Sequence, residues 1–109
     1  MIYWVLLLLA IIAEVCGTSC MKLSNGFTRV WPSVLIFVFY SLSFVAITLA
    51  IKKIDISIAY AIWSALGTGA IAFIGIVAFG EKLNSLKVVG LILVIAGVIA
   101  LNISSAQNR

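Results

Sequence analysis

The sequence predicts an all-α membrane protein in which each chain contributes four transmembrane helices, as a single four-helix domain over residues 1–109. Three observations lead to this prediction: the composition, four long runs free of Lys and Arg, and short polar links between them. Hydrophobic residues make up 65% of the chain and charged residues 9%, whereas a soluble domain carries roughly a quarter charged residues. A chain this small cannot hide so much apolar surface from water. We therefore expect the bilayer to be its solvent.

Each of the four apolar runs is taken as a membrane-spanning helix. A spanning helix needs about 20 apolar residues, and in lipid a helix satisfies its own backbone hydrogen bonds. The first run contains Glu14 but no basic residue before Lys22. The fourth run is slightly short, and a snorkelling Lys87 extends it. The predicted helices cover residues 3–21, 32–51, 56–79 and 86–104.

The links between the runs carry turn-forming residues. Ser-Asn-Gly at 24–26 precedes Pro32, and proline favours the first turn of a helix. Residues 52–55 and 80–85 form the other two links. Such short links make neighbouring helices antiparallel and place both termini on one side. The N-terminal run lacks a basic flank and a small-residue cleavage site, so we expect it to be retained.

The basic residues are almost evenly divided between the two predicted sides of the membrane. The net charge is +4, from seven Lys/Arg and three Asp/Glu. Because the imbalance of Lys and Arg orients a membrane protein, a difference of one residue predicts dual topology. The scattered placement is typical of headgroup anchors and excludes a nucleic-acid-binding surface. The side of the termini carries Lys52, Lys53 and Arg109, and the other side carries Lys22, Arg29, Lys82 and Lys87.

Glu14 is the candidate functional carboxylate. It follows Tyr3 by about 17 Å of helix, which places it near the midplane of an approximately 30 Å hydrocarbon core. A carboxylate there costs about 2.5 to 3.5 kcal/mol on insertion scales, and burial disfavours its charged form. No basic residue lies at matching depth, so we expect a proton, a cationic ligand or both in turn as its partner. The alternative is a protonated glutamate that bonds a neighbouring helix.

The helix face around Glu14 is small and lightly polar. Ala10, Gly17 and Thr18 lie at −4, +3 and +4 from it, which puts them on one face. The Thr18 hydroxyl is within reach of the carboxylate. The small residues also suit close helix packing, and both roles can hold on one face.

Two aromatic faces are candidates for binding an organic cation. Tyr60 and Trp63 lie three apart on the third predicted helix, and a desolvated ring face attracts a cation by up to about 2 kcal/mol. The alternative is that they anchor the helix at the membrane interface. A similar face on the second helix, which taken alone favours packing, consists of Tyr40, Phe44 and Ile47 with Ser43 beside it.

Glycines on the last two helices indicate bending and association. Gly67 and Gly69 allow the third helix to bend, and Gly90 and Gly97 suit a helix–helix seam on the fourth. One chain has too few helices to enclose a substrate path, so we expect a dimer formed through the fourth helix.

The sequence offers no set of residues for a metal, a cofactor or an enzymatic reaction. Cys16 and Cys20 occur without any His, and two thiols alone make a poor zinc set. We expect them to pack, and we predict no metal site and no cofactor. With no nucleophile–base pair or phosphate loop, we also predict that the protein is not an enzyme.

Several stretches together resemble the small multidrug resistance family of proton-coupled exporters over nearly the whole chain. Glycine followed by threonine at Gly17-Thr18 is similar to its quaternary-ammonium and multidrug branch, since the guanidinium branch usually has Trp at the first position. Ala65 stands where the multidrug branch has glycine before Gly67, so the resemblance implies a stiffer hinge at Ala65 and Gly67. The matching stretches are 13–18 with 21–22, 26–29 with 31–33, 59–64 with 67, and 90 with 97–99.

The resemblance implies an antiparallel homodimer in the cell membrane, in agreement with the charge count. It further implies that Glu14 of both subunits forms one site, where protons and a lipophilic or quaternary ammonium cation compete during antiport. The pocket residues that it implies are Glu14, Tyr60, Trp63, Tyr40, Phe44, Ser43, Thr18, Ala10, Ile47 and Gly17.

Three alternatives remain open at this point. The first is that the chain is a guanidinium or polyamine exporter of the same family. The second is that it is one half of a paired heterodimer, and the third is that it is a non-transporting membrane subunit. The last alternative predicts that Glu14→Gln leaves the phenotype intact.

Overall fold

A computed structural model describes the backbone of residues 1–107 and the side chains of residues 1–104. All four of its helices are long and apolar enough to cross a membrane. Their ends lie within three residues of the predicted ones, and the predicted four-helix membrane fold is confirmed. The helices are α1 (Ile2–Leu23), α2 (Val30–Ala50), α3 (Ile56–Ala78) and α4 (Ser85–Gln107).

The helices group into two compact units, each an α-helical hairpin. The first unit, Met1–Ile54, contains α1 and α2, and the second begins at Asp55 and contains α3 and α4. That all four helices form a single domain stays a prediction. Arg109, which the charge count places on the side of the termini, lies outside the described residues.

A single stripe of α1 is buried. Leu7, Ile11 and Val15, one turn apart, are between 2% and 8% exposed, as expected of a helix with 3.6 residues per turn that packs on one side. Leu8 and Ile12, which lie off this stripe, are about half exposed. Such outward apolar side chains suit a helix whose other faces contact lipid.

The α1–α2 link is a fixed turn built around Ser24. The buried Ser24 hydroxyl donates to the carbonyl of Met21 at 2.8 Å and accepts the Phe27 N–H at 3.2 Å. Asn25, Gly26 and Phe27 have positive φ angles of 48°, 70° and 68°, which cost a non-glycine residue roughly 1 to 2 kcal/mol. This bonded turn fixes where α2 begins and so sets its register on α1.

The α3–α4 link turns at Gly80, whose φ is 70°. After this turn the Glu81 N–H donates to the carbonyl of Gly75 at 2.9 Å. The Glu81 carboxylate lies over Gly75, in the space that a Cβ there would need. Asn84 then caps α4, because its Oδ1 accepts the Lys87 N–H at 2.8 Å. Hydrogen bonds thus tie the beginning of the link to the last turn of α3 and its end to the first turn of α4.

α4 leaves most of its surface uncovered in the single chain. Within residues 85–104 none of its side chains is buried, and a Cβ at Gly90 or Gly97 would meet nothing within 4 Å. Between α3 and α4 runs an open, apolar groove of about 730 Å³. It is lined by Ile56, Ser57, Tyr60, Ala61, Ser64, Leu93, Val94, Gly97, Val98 and Leu101.

Candidate functional site

Glu14 lies near the middle of α1 and is half-buried. It is the thirteenth of 22 helical residues, a position that puts it close to the midplane when α1 spans the bilayer. Its Oε1 accepts a hydrogen bond of 2.8 Å from the Thr18 hydroxyl, one turn further along. The next basic residue along α1 is Lys22, about 12 Å away by helical rise. The carboxylate therefore has a hydroxyl donor beside it and no cation on its own helix nearby.

Thr18 connects Glu14 to the second helix of the hairpin. Its Oγ1 lies 2.5 Å from the hydroxyl oxygen of Tyr40 on α2. A threonine hydroxyl has one proton. Because Thr18 donates this proton to Glu14 in a hydrogen bond, the Tyr40 hydroxyl is the donor to Thr18. The Tyr40 hydroxyl also lies 3.8 Å from Met21 Sδ. We call the three connected groups the Glu14–Thr18–Tyr40 chain.

Gly17 allows the Tyr40 ring to approach α1 closely. A Cβ at Gly17 would lie 3.2 Å from Cδ2 and Cε2 of Tyr40 and 3.3 Å from the Cβ of Phe39. The Tyr40 ring thus lies in the space next to Gly17 that a larger side chain at this position would need. Phe39 could not be predicted from the sequence, since its place beside Gly17 depends on the register between two helices.

Ser43 and Ala10 form a second contact across the same hairpin. The Ser43 hydroxyl is fully buried and donates to the carbonyl of Ala10 at 2.7 Å, so its proton is already bonded to the backbone. Phe44 continues the aromatic face, with its ring centroid 6.0 Å from that of Tyr40. Phe44 is 57% exposed and Ile47 is half-buried. The first hairpin thus brings Glu14, Gly17 and Thr18 together with Tyr40, and Ala10 together with Ser43.

The two remaining pocket residues lie in the second unit. The rings of Tyr60 and Trp63 meet edge to face at 5.5 Å and 67°, and Tyr60 is 62% exposed on the α3–α4 groove. The Trp63 indole N–H is buried and has no acceptor among the described residues. Buried donors without a partner are rare in native structures. The predicted hinge residues Ala65 and Gly67 are buried on the same helix.

These features define a small multi-pass membrane protein with a carboxylate near the middle of its first helix. The sequence model of one family, described as Small Multidrug Resistance protein, matches residues 2–94 of the chain. The chain belongs to the small multidrug resistance family, and its place is the cell membrane. Both predictions are confirmed.

Three relatives align with nearly the whole chain. Multidrug resistance protein EbrB of Bacillus subtilis (strain 168) is 46% identical over 101 residues, which cover 93% of this chain and 86% of EbrB. Multidrug resistance protein mmr of Mycolicibacterium paratuberculosis is 41% identical over 105 residues, or 95% and 98% of the two chains. Nicotine metabolites export pump subunit NepA of Paenarthrobacter nicotinovorans is 41% identical over 104 residues, or 95% and 90%.

Proposed function

We propose that the protein is a proton-coupled antiporter that exports lipophilic and quaternary ammonium cations, with protons and substrate competing for the Glu14 carboxylates of a dimer. The observation that carries this proposal is the mid-helix Glu14, which has a hydroxyl donor at 2.8 Å and no basic residue on α1 before Lys22. Export is supported by the names of the relatives, two multidrug resistance proteins and an export pump subunit.

The chemistry of exchange follows from the missing counter-ion. An ionised carboxylate in a medium of low dielectric is costly unless a positive charge accompanies it. A proton and an organic cation each neutralise Glu14, and each makes the carboxylate less attractive to the other. Release of protons on one side of the membrane therefore prepares the site for substrate, and their return from the other side expels it.

The aromatic residues suit substrates that are both cationic and apolar. Phe44 on α2 and Tyr60 on α3 each expose more than half of their surface, so their rings are available to a ligand or to a second subunit. Ring faces attract organic cations without a hydrogen-bond donor on the ligand. This favours quaternary ammonium and phosphonium ions over strongly hydrated small cations.

A dimer supplies the second carboxylate and the missing walls of the site. The uncovered α4 with Gly90 and Gly97 supports association through this helix, because small residues let two membrane helices approach closely. Alternating access is then an exchange between two conformers of an antiparallel homodimer.

The direct test is proton release when tetraphenylphosphonium is added to the purified protein in weak buffer. We expect release from the wild type and from the control Glu81→Gln, whose carboxylate lies in the α3–α4 link, and none from Glu14→Gln. Equal release from wild type and Glu14→Gln would contradict the proposal. Binding of guanidinium without any binding of tetraphenylphosphonium would assign the chain to guanidinium export instead.

A further inference from the structure

The Glu14–Thr18–Tyr40 chain is a continuous series of three polar groups that are connected by two short contacts. We infer that Thr18 and Tyr40 form a relay that carries protons between Glu14 and the end of the first hairpin that holds the α1–α2 link. The inference rests on the proposed function, because it requires that Glu14 exchange protons. It adds a route for those protons and two residues that move them.

The distances connect the three groups without a gap. Thr18 Oγ1 is 2.8 Å from Glu14 Oε1 and 2.5 Å from the Tyr40 hydroxyl oxygen, both within ordinary hydrogen-bonding range. Each hydroxyl can donate one proton and accept another. The Tyr40 hydroxyl also lies 3.8 Å from the sulfur of Met21, a residue that is 43% exposed. The Glu14–Thr18–Tyr40 chain therefore runs from the middle of α1 toward the end of the hairpin that holds the α1–α2 link.

The Thr18 hydroxyl departs from the usual behaviour of a hydroxyl inside a helix. Serine and threonine there commonly donate to the carbonyl four residues earlier, and the neighbouring Ser19 does so to Val15 at 2.9 Å. Thr18 donates instead to the side chain of Glu14. The Tyr40 ring reaches Thr18 because Gly17, beside it, has no Cβ to hold the ring away.

Proton uptake through this chain leaves both hydroxyls neutral. A hydronium ion gives a proton to the Tyr40 oxygen as Tyr40 passes its own proton to Thr18, and Thr18 passes its own to the Glu14 carboxylate. One O–H bond forms and one breaks at each hydroxyl, and a water molecule and a carboxylic acid remain. Release runs in reverse: Glu14 gives its proton to Thr18, Thr18 gives one to Tyr40, and Tyr40 gives one to water.

The test follows protonation of Glu14 in the purified protein after a laser-induced pH jump, with no cation present. The readout is the infrared C=O stretch of the protonated carboxyl, identified by its loss in Glu14→Gln. Thr18→Val and Tyr40→Phe each remove one hydroxyl of the chain at nearly constant shape, and Thr18→Ser keeps the hydroxyl. Matched controls are Ser19→Ala and Tyr3→Phe, which remove hydroxyls outside the chain.

After a jump to a final pH acidic enough to protonate Glu14 fully in every variant, we expect Thr18→Val and Tyr40→Phe to reach that end point at rates at least about tenfold lower than the wild type, since a positioned proton-transfer group contributes roughly 10² to 10⁴. Thr18→Ser and both controls should keep the wild-type rate. Unchanged protonation rates in Thr18→Val and Tyr40→Phe, or a reduced rate in Thr18→Ser, would overturn the relay. Neither result would contradict the proposed antiport. Absence of any Glu14-dependent band in the wild type over the whole pH range would contradict the proposed function itself.

Discussion

At the scale of single residues, the environment of Glu14 is set by hydroxyl groups rather than by charges. Thr18 donates to the carboxylate, and Tyr40 in turn contacts Thr18 from the neighbouring helix. A hydrogen bond to the ionised form stabilises that form without supplying the positive charge that a proton or substrate brings. Glu14 is thus a hydrogen-bonded carboxylate with no basic residue nearby on its own helix.

Ser43 gives a prediction about stability at this scale. Its fully buried hydroxyl donates to the Ala10 carbonyl across the first hairpin, and hydrogen bonds between membrane helices contribute about 0.6 kcal/mol on average, with a maximum of about 1.7. We expect Ser43→Ala to lower the free energy of unfolding by an amount in this range. Reversible unfolding in mixed micelles, followed by circular dichroism, measures it.

The control for this prediction is Ser41→Ala, which changes an exposed serine on the same helix. It should leave the free energy of unfolding within about 0.5 kcal/mol of the wild-type value. A loss of stability of the same size in both variants would show that the Ser43–Ala10 bond is not responsible.

Residues differ in how far the sequence could predict their contacts. The bond from Thr18 to Glu14 follows from their spacing of four on one helix, so the sequence alone predicts that this hydroxyl lies within reach of the carboxylate. The Tyr40 contact joins residues 22 positions apart and depends on the register between two helices. Hydropathy does not specify that register, since most apolar faces of the hairpin suit lipid equally well.

At the scale of elements, the helices were predictable and the close contacts between them were not. The predicted ends lie within three residues of α1 to α4, because long apolar runs end at polar links. The register of α2 on α1 depends instead on the turn around Ser24 and on the missing side chain at Gly17. Both features are visible only when the two helices are placed together.

The Gly17 contact predicts opposite effects for two glycine substitutions. In a helix, alanine is favoured over glycine by about 1 kcal/mol, so Gly69→Ala, with nothing within 4 Å of its new Cβ, should stabilise the protein. At Gly17 the new methyl would meet the Tyr40 ring at 3.2 Å and the Phe39 Cβ at 3.3 Å. We expect Gly17→Ala to be less stable than Gly69→Ala by more than about 1 kcal/mol, measured by the same unfolding assay. Equal stabilisation by the two substitutions would contradict the close contact.

At the scale of the whole molecule, the chain leaves large apolar surfaces uncovered. α4 buries no side chain within residues 85–104, and the groove beside it is open and apolar. Family membership was predictable because the matching stretches are spread over most of the sequence, as the family match over residues 2–94 confirms. A dimer is a contact between two chains, so it stays a prediction from one chain alone.

The charge balance predicts that the wild type inserts in both orientations. A tag at the C-terminus should be accessible from both faces of the membrane, and finding it on one face only would contradict dual topology.

The double variant Lys52→Gln, Lys53→Gln removes two of the three basic residues on the side of the termini. One basic residue then remains on that side and four on the other. We expect this double variant to insert with the C-terminus outside only, since the more basic side remains in the cytoplasm.

Proton-driven transport in proteoliposomes tests the central claim most directly. Vesicles with an acidic interior are given labelled tetraphenylphosphonium outside, so that protons leaving the vesicle drive the cation inward. We predict that the wild type accumulates the cation, that collapse of the proton gradient abolishes accumulation, and that Glu14→Gln accumulates none. Accumulation that persists in Glu14→Gln, or that does not depend on the gradient in the wild type, would contradict proton-coupled exchange at Glu14.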